Sequence, residues 1–313
     1  MPKAPVLVTR RIPSAALARL QEACDVDVHE QGDLGHHDLI ARVRGKHGLL
    51  SVVTDTIDRA VLEAGGDLKI VSTIAVGYNN IDIAAARERG VIVTNTPDVL
   101  TEAAADLTWA LILGMTRRIV EGDRLVRAGR WRGFALEFML GTDLRNKQLG
   151  IVGFGRIGRA VAARAPAFGM RVAFASRSAQ SSPLGESMPL DRLLATSDVV
   201  TLHCPLNAET KHLINQATLA RMKRGAYLVN TSRGPVVDEA ALVWALANRL
   251  IAGAALDVYE REPAIHEGLA ALENVVLSPH LGSSTIETRT TMIQLAVDNV
   301  VAVLSGQPAL TPI

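Results

Sequence analysis

Aromatic side chains are scarce, at 4% of 313 residues, and cysteine is scarcer, with two in the chain. Cys24 and Cys204 cannot frame a disulfide scaffold, and neither lies in a metal-ligand spacing, so both are read as reduced thiols and no metal is expected. Charge of one sign is also lacking. The formal net charge is +1 and no Lys/Arg block stands out, which removes the electrostatic footprint of a nucleic-acid or anionic-membrane binder. No apolar run approaches bilayer length. The first nine residues run almost directly into a strand, without the apolar core and small-residue cleavage site of a secretory leader. A soluble cytoplasmic protein is expected, with neither nucleic acid nor membrane as partner.

What is plentiful is Ala, Val and Leu, within 48% hydrophobic residues. That suits α/β layers whose parallel strands are buried on both faces, and the length suits two domains. Candidate strands at 6–9, 26–29, 48–53, 69–73 and 91–94 alternate with helical stretches at 14–23, 38–44, 58–64 and 82–89. Several of those helices open on Ser or Asp able to cap free N–H groups. Further strands are read at 149–152, 171–175, 199–203, 227–230, 254–258 and 275–278, six in all. A long helical segment from Thr101 to about Ala128, opened by Pro97 and closed by Gly129, is expected to bridge the halves. The helical stretch 287–304 is expected to cross back onto the first. The fold class predicted is α/β, with two doubly wound parallel-sheet domains, one flavodoxin-like and substrate-binding, the other a Rossmann nucleotide-binding domain, and a cleft between them. The first takes residues 1–98 and 287–313, the second 99–286.

The most informative stretch is Gly153-Phe-Gly155-Arg156-Ile157-Gly158, following a short buried strand and opening a helix. Gly153 permits the tight turn, Gly155 lets the backbone approach a pyrophosphate, and Gly158 lets the helix pack close to its strand. The helix N-terminus offers N–H groups and a positive dipole end to the anion. The next strand, ending at Ala175, completes the βαβ unit. An NAD site usually places Asp or Glu at the end of this strand, on the ribose 2′-hydroxyl. Here Ser176, Arg177 and Ser178 stand instead. A guanidinium pairs with a 2′-phosphate, so the local chemistry favours NADP, with NADPH preferred over NADH.

Three segments put titratable residues just after strands of the second half, where open α/β sheets build their sites. They are Asn230-Thr231-Ser232-Arg233, Asp257 through Glu262-Pro263, and Pro279-His280-Leu281-Gly282-Ser283. Arginine at a strand end suits a bidentate clamp on a carboxylate. Histidine moves protons near neutral pH, and a carboxylate such as Glu262 would fix its tautomer.

In these segments, and in Val76-Gly77-Tyr-Asn-Asn-Ile-Asp82 and Asn95 through Thr101, the chain resembles the D-isomer-specific 2-hydroxyacid dehydrogenases over essentially its whole length. The resemblance implies that Arg233 binds the substrate carboxylate and that His280, paired with Glu262, is the general acid in reduction. It places Val52, Val76, Gly77 and Ser283 near the substrate. The nucleotide is expected against the glycine motif, His203, Cys204, Pro205 and Thr210, and against Thr231, Ser232, Asp257 and Gly282. Within the family the chain looks most like glyoxylate/hydroxypyruvate and 2-ketogluconate reductases, acting on a small 2-keto or 2-hydroxy acid. The family pattern also implies a homodimer through residues 101–144, with Trp131 the candidate to reach the neighbouring subunit's site. A formate-type enzyme is disfavoured because such relatives carry Gln where Glu262 stands. An NAD-dependent 3-phosphoglycerate-type dehydrogenase is disfavoured by Ser176 and the short C-terminus. A nucleotide-sensing corepressor stays open, since such relatives keep the same three residues.

Overall fold

The computed structural model describes residues 2–177 and 181–313. The chain forms two compact units, Met1–Leu100 with Thr285–Ile313, and Thr101–Ser284.

In the first unit the strands β1 (Ala4–Val8), β2 (Cys24–Val28), β3 (Gly48–Ser51), β4 (Ile70–Thr73) and β5 (Ile92–Thr94) are parallel, in the order β2-β1-β3-β4-β5. This is the flavodoxin-like doubly wound order. Alternation of side chains sets its two faces. Leu7, Leu49, Val71 and Val93 pack with α2 (His36–Arg42), α3 (Arg59–Ala64) and α4 (Ile83–Glu88). Val6, Val8, Leu50 and Ile70 pack with α1 (Ser14–Ala23) and the C-terminal helix Ile286–Leu304. The Ser72 hydroxyl donates to the Ala296 carbonyl at 3.0 Å, pinning that last helix to β4. Asp58 and Asp82 cap α3 and α4 by accepting from the N–H groups of Val61 and Ala85. Ser14 does not cap α1. The helix begins with it, and Pro13 occupies the N-cap without a side-chain bond. Asp38 lies within the first turn of α2, which starts two residues earlier than expected, after Gly35.

The second unit opens with α5 (Thr101–Thr116) and α6 (Ile119–Arg127). The single long helix expected here is broken. Arg118 takes a left-handed φ of 55°, and the Thr116 carbonyl accepts the Thr142 N–H at 2.8 Å instead of continuing the helical ladder. The strands are β6 (Gln148–Val152), β7 (Arg171–Ala175), β8 (Glu186–Ser187), β9 (Val199–Leu202), β10 (Tyr227–Asn230), β11 (Gly253–Leu256) and β12 (Val275–Leu277). They form a seven-stranded sheet in the order β12-β11-β10-β9-β6-β7-β8, one strand more than the six expected. The extra member, β8, is two residues long and escapes any reading by hydrophobic period. Its helices are α7 (Arg156–Arg164), α8 (Leu190–Thr196), α9 (Gln216–Leu219), α10 (Glu239–Ala247) and α11 (Glu267–Ala270). Ile151, Phe174, Val199 and Val229 face α5 and α7. Val152, Ala173, Val200 and Leu228 face α8, α9, α10 and α11. Both faces are buried, which is why these strands read as continuous apolar runs. Among the described residues no helix is long and apolar enough to cross a membrane, and no cluster of His, Cys, Asp or Glu could hold a metal ion.

Candidate active site

The strand order reverses between β6 and β9, and a doubly wound sheet offers its ligand crevice at such a point. Gly153 follows β6 there, with φ 93°. A Cβ on it would fall 2.5 Å from the Cys204 nitrogen and 2.6 Å from the His203 carbonyl carbon, so only glycine fits. A Cβ on Gly158 would fall 2.3 Å from the Gly153 oxygen, so α7 lies directly on the strand end. Gly155 is the N-cap of α7, and its Cβ position meets nothing within 4 Å. A helix N-terminus with that open approach suits a pyrophosphate, so the residues present fit a dinucleotide. Helix α7 starts at Arg156 and therefore takes in Ile157 and Gly158.

Around this cradle, burial pushes the Cys204 thiol up to about 11, so it stays protonated. His203 is partly exposed as a residue, but packing around its ring lowers it to about 3, and its Nε2 lies 2.9 Å from the Thr201 hydroxyl. Both Thr210 and Pro205 belong to one loop, tied by a 2.6 Å bond from the Thr210 hydroxyl to the Pro205 carbonyl. Ser176 follows β7 and is half-buried, and Arg177 beside it is exposed. Ser178 lies outside the described residues.

The catalytic candidates converge at the C-terminal ends of β10, β11 and β12. Arg233 follows a turn braced by Asn230, a buried residue that the sequence reading passed over. The Asn230 Oδ1 accepts from the Ser232 N–H at 3.0 Å and hydroxyl at 2.9 Å, while its Nδ2 donates to the Arg233 carbonyl at 3.0 Å. Thr231 ties the same turn to α5 through a 2.9 Å hydroxyl contact with Thr108. Burial depresses the Arg233 guanidinium, and the charge of Glu262 offsets part of that.

His280 Nδ1 lies 2.7 Å from Glu262 Oε2, and Glu262 Oε1 accepts the Tyr259 N–H at 3.0 Å. Burial alone would raise the Glu262 carboxyl. The His280 hydrogen bond, the Tyr259 N–H and the positive charges of His280 and Arg233 outweigh it, and Glu262 sits below the usual carboxylate range. An ionised carboxylate only accepts, so Nδ1 carries a proton and Nε2 is the nitrogen that can exchange one. Nε2 has no partner among the described residues. Asp257 shapes the loop that carries the histidine. Its carboxylate accepts from the Ser278 hydroxyl and from the N–H groups of Leu281, at 2.7 Å, and Gly282, at 2.9 Å. Burial raises its carboxyl, and those bonds temper the rise. His280 adopts a left-handed φ of 55°, held by its N–H bond to the Asp257 carbonyl at 2.9 Å. Such backbone costs on the order of 1–3 kcal/mol and persists where the surroundings over-determine it. Ser283 follows on the same loop, half-buried.

In the first unit, Val52 follows β3 beside β1, where that sheet's strand order also reverses. Its N–H is taken by the buried Asp55 carboxylate at 2.8 Å, which also accepts the Thr9 hydroxyl. Val76 and Gly77 lie in the loop after β4, with the Val76 carbonyl held by Asn95 at 2.8 Å. No acceptor among the described residues takes their N–H groups.

A family model for the NAD-binding domain of D-isomer specific 2-hydroxyacid dehydrogenases matches residues 109–282. A glyoxylate reductase of Thermofilum pendens is 46% identical, with 99% of this chain and 95% of that protein aligned. The solved structure of a Thermus thermophilus protein is 47% identical, with a TM-score of 0.94 over 99% of each chain. An NADPH-dependent glyoxylate/hydroxypyruvate reductase of Sinorhizobium meliloti, solved with NADP and malonate, is 36% identical, with a TM-score of 0.89 over 99% of this chain and 97% of that one.

Proposed function

The chain belongs to the D-isomer specific 2-hydroxyacid dehydrogenases, a family of oxidoreductases using a nicotinamide cofactor, and from that premise we propose that it reduces glyoxylate, hydroxypyruvate or 2-ketogluconate with NADPH to the 2-hydroxy acid, the D isomer wherever the new carbinol carbon is chiral. The observation that carries the reading is the 2.7 Å contact between His280 and an ionised Glu262, with Nε2 left over for chemistry.

A bound nicotinamide supplies the reducing equivalent to the keto carbon. Arg233 takes the substrate carboxylate and stabilises charge growing on the keto oxygen. Its desolvated guanidinium interacts with that charge far more strongly than it would in water. His280 gives its Nε2 proton to the developing alkoxide, and Glu262 holds the ring so that Nδ1–H stays bonded while Nε2 is emptied and refilled. In the first unit, the Val76 and Gly77 N–H groups suit a carboxylate oxygen. Arg233, Glu262 and His280 are thus assigned as catalytic, and the Gly153–Gly158 turn as the pyrophosphate cradle.

NADPH preference is supported by the absence of a carboxylate at Ser176 and by the exposed guanidinium of Arg177. The Sinorhizobium relative is described as NADPH-dependent. A homodimer is supported by the exposed apolar arm of the second unit, where Trp131, Phe134, Leu136 and Leu140 are 57%, 88%, 84% and 64% exposed. The test is kcat/KM for glyoxylate, hydroxypyruvate and 2-ketogluconate with each nucleotide. Turnover of at least one acid, faster with NADPH at subsaturating nucleotide, is expected. Failure of all three, or equal use of NADH, would overturn the corresponding half of the proposal.

A further inference from the structure

Glu239 is a buried acid, 5% exposed, that neither the hydride nor the proton transfer uses. It is the first residue of α10, yet it does not cap that helix, because Asp238 accepts the Ala241 N–H at 3.0 Å. A buried carboxylate is expensive unless it is fully hydrogen-bonded. Glu239 divides its oxygens between two backbone donors, the Glu260 N–H at 2.8 Å and the His266 N–H at 3.2 Å. Those donors bracket the small hairpin in which Arg261 pairs with Ala264, and Glu262 lies inside it.

The same stretch of chain grips this loop a second time. Gly234, next to Arg233, lies so close to the Tyr259–Glu260 peptide that a Cβ would fall 1.8 Å from the Tyr259 carbonyl atoms. The Tyr259 N–H in turn donates to Glu262. Residues 233–239 therefore carry Arg233 at one end and hold the Glu262 loop at both.

We propose that Glu239 is a positioning residue of the proton-transfer pair, clamping the loop that presents Glu262 to His280 and keeping that pair in register with Arg233. This rests on the reading of His280 and Glu262 as the proton-donating pair. The charged and titratable groups facing the pair are Arg233, Asp257 and Tyr259. Glu239 itself meets the backbone N–H groups of Glu260, whose carboxylate is held by His212, and of His266, and its charge acts on the Tyr259 phenol. In Glu239→Gln the amide nitrogen would confront one of the two N–H donors, so one end of the clamp is lost while the side chain's volume is kept.

The experiment compares pH profiles of kcat for glyoxylate reduction in wild type, Glu239→Gln, Glu262→Gln and the double variant, with NADPH affinity measured by fluorescence titration. Glu239→Gln is expected to lower kcat by about ten-fold, the scale on which outer supports of a functional group act. It should move the alkaline limb to lower pH in the same direction as Glu262→Gln, and leave NADPH affinity unchanged. The double variant should match Glu262→Gln alone, because residues acting through one another are not additive. An unmoved profile in Glu239→Gln, even with lowered thermal stability, overturns the proposal, as does an additive double variant, which would mean that Glu239 acts by its charge alone. Should Glu239→Gln fail to fold, Glu239→Asp keeps the charge but cannot span both donors. It is then expected to show the same shift, and an unchanged profile there is equally fatal. An unchanged profile in Glu262→Gln itself would instead remove the pair from the mechanism, and the proposal with it, without Glu239 having been touched.

Discussion

Two glycines in one turn make opposite demands, and alanine at each separates folding from nucleotide binding. At Gly158 the added methyl meets backbone, 2.3 Å from the Gly153 oxygen. Restoring an ordinary contact of about 3.4 Å forces α7 outward by about 1 Å. Overpacking of this kind costs about 1–3 kcal/mol, and the helix propensity gained by alanine returns about 1 kcal/mol. The net loss, up to about 2 kcal/mol, corresponds to a fall in Tm of up to roughly 8 °C. Nucleotide affinity should fall as well, because the N–H groups of the first turn recede from the phosphates. At Gly155 the methyl meets no protein atom within 4 Å, and the backbone has an ordinary φ of −81°. Stability should drop by less than about 1 kcal/mol, the usual scale of an N-cap change. The methyl nevertheless stands where a pyrophosphate approaches the helix. Losing one charge-assisted bond, worth about 1.5–3 kcal/mol, weakens binding by roughly ten- to hundred-fold. Fluorescence titration with NADPH and thermal denaturation of both variants read the two effects separately. Wild-type nucleotide affinity in Gly155→Ala would refute the cradle. A Gly158→Ala variant more stable than wild type, showing the helix propensity gain with no clash against it, would refute the close helix–strand contact.

Arg233→Lys should lose most of kcat/KM for the keto acid with nucleotide binding spared, because an ammonium cannot reproduce the planar fork; full activity in steady-state kinetics would place the carboxylate elsewhere. Glu262→Gln should move the alkaline limb of the reduction profile to lower pH, because the ring loses the carboxylate held 2.7 Å from its Nδ1. The sign on stability follows from the lowered Glu262 pKa. Its ionised form stabilises the fold above the ordinary carboxylate pKa, and that contribution fades as pH falls through the depressed value. Acid denaturation curves of Glu262→Gln should therefore lack that component, and identical curves would count against the pair. Arg177→Ala should raise the KM for NADPH by roughly ten- to hundred-fold and leave NADH nearly unchanged, since only the former carries the 2′-phosphate; equal effects on both would mark Arg177 as an ordinary surface residue.

The parts legible in the sequence were those whose physics is local. The glycines of residues 153–158 are demanded by a turn, an open approach and a close packing, each visible as a missing Cβ. The parallel strands read as short apolar runs because both faces of each sheet are covered. The helix break at Arg118 was not legible, since its cause is the Thr142 N–H arriving from 26 residues downstream of Thr116 to take its carbonyl. Strand β8 is too short for any period to register. Arg233, Glu262 and His280 stood out by residue type at strand ends. Asn230 and Glu239, which support them, did not, and Asp257 was read only as a nucleotide contact, because all three work through backbone partners that only the fold brings near.

Everything proposed for the reaction turns on His280 Nε2 delivering the proton while Glu262 holds the ring. The most direct test is kcat for glyoxylate reduction by His280→Ala, alongside the variant's NADPH affinity. A fall of about 10²–10⁴-fold is expected, with nucleotide affinity unchanged. A variant that keeps near-wild-type kcat would contradict it.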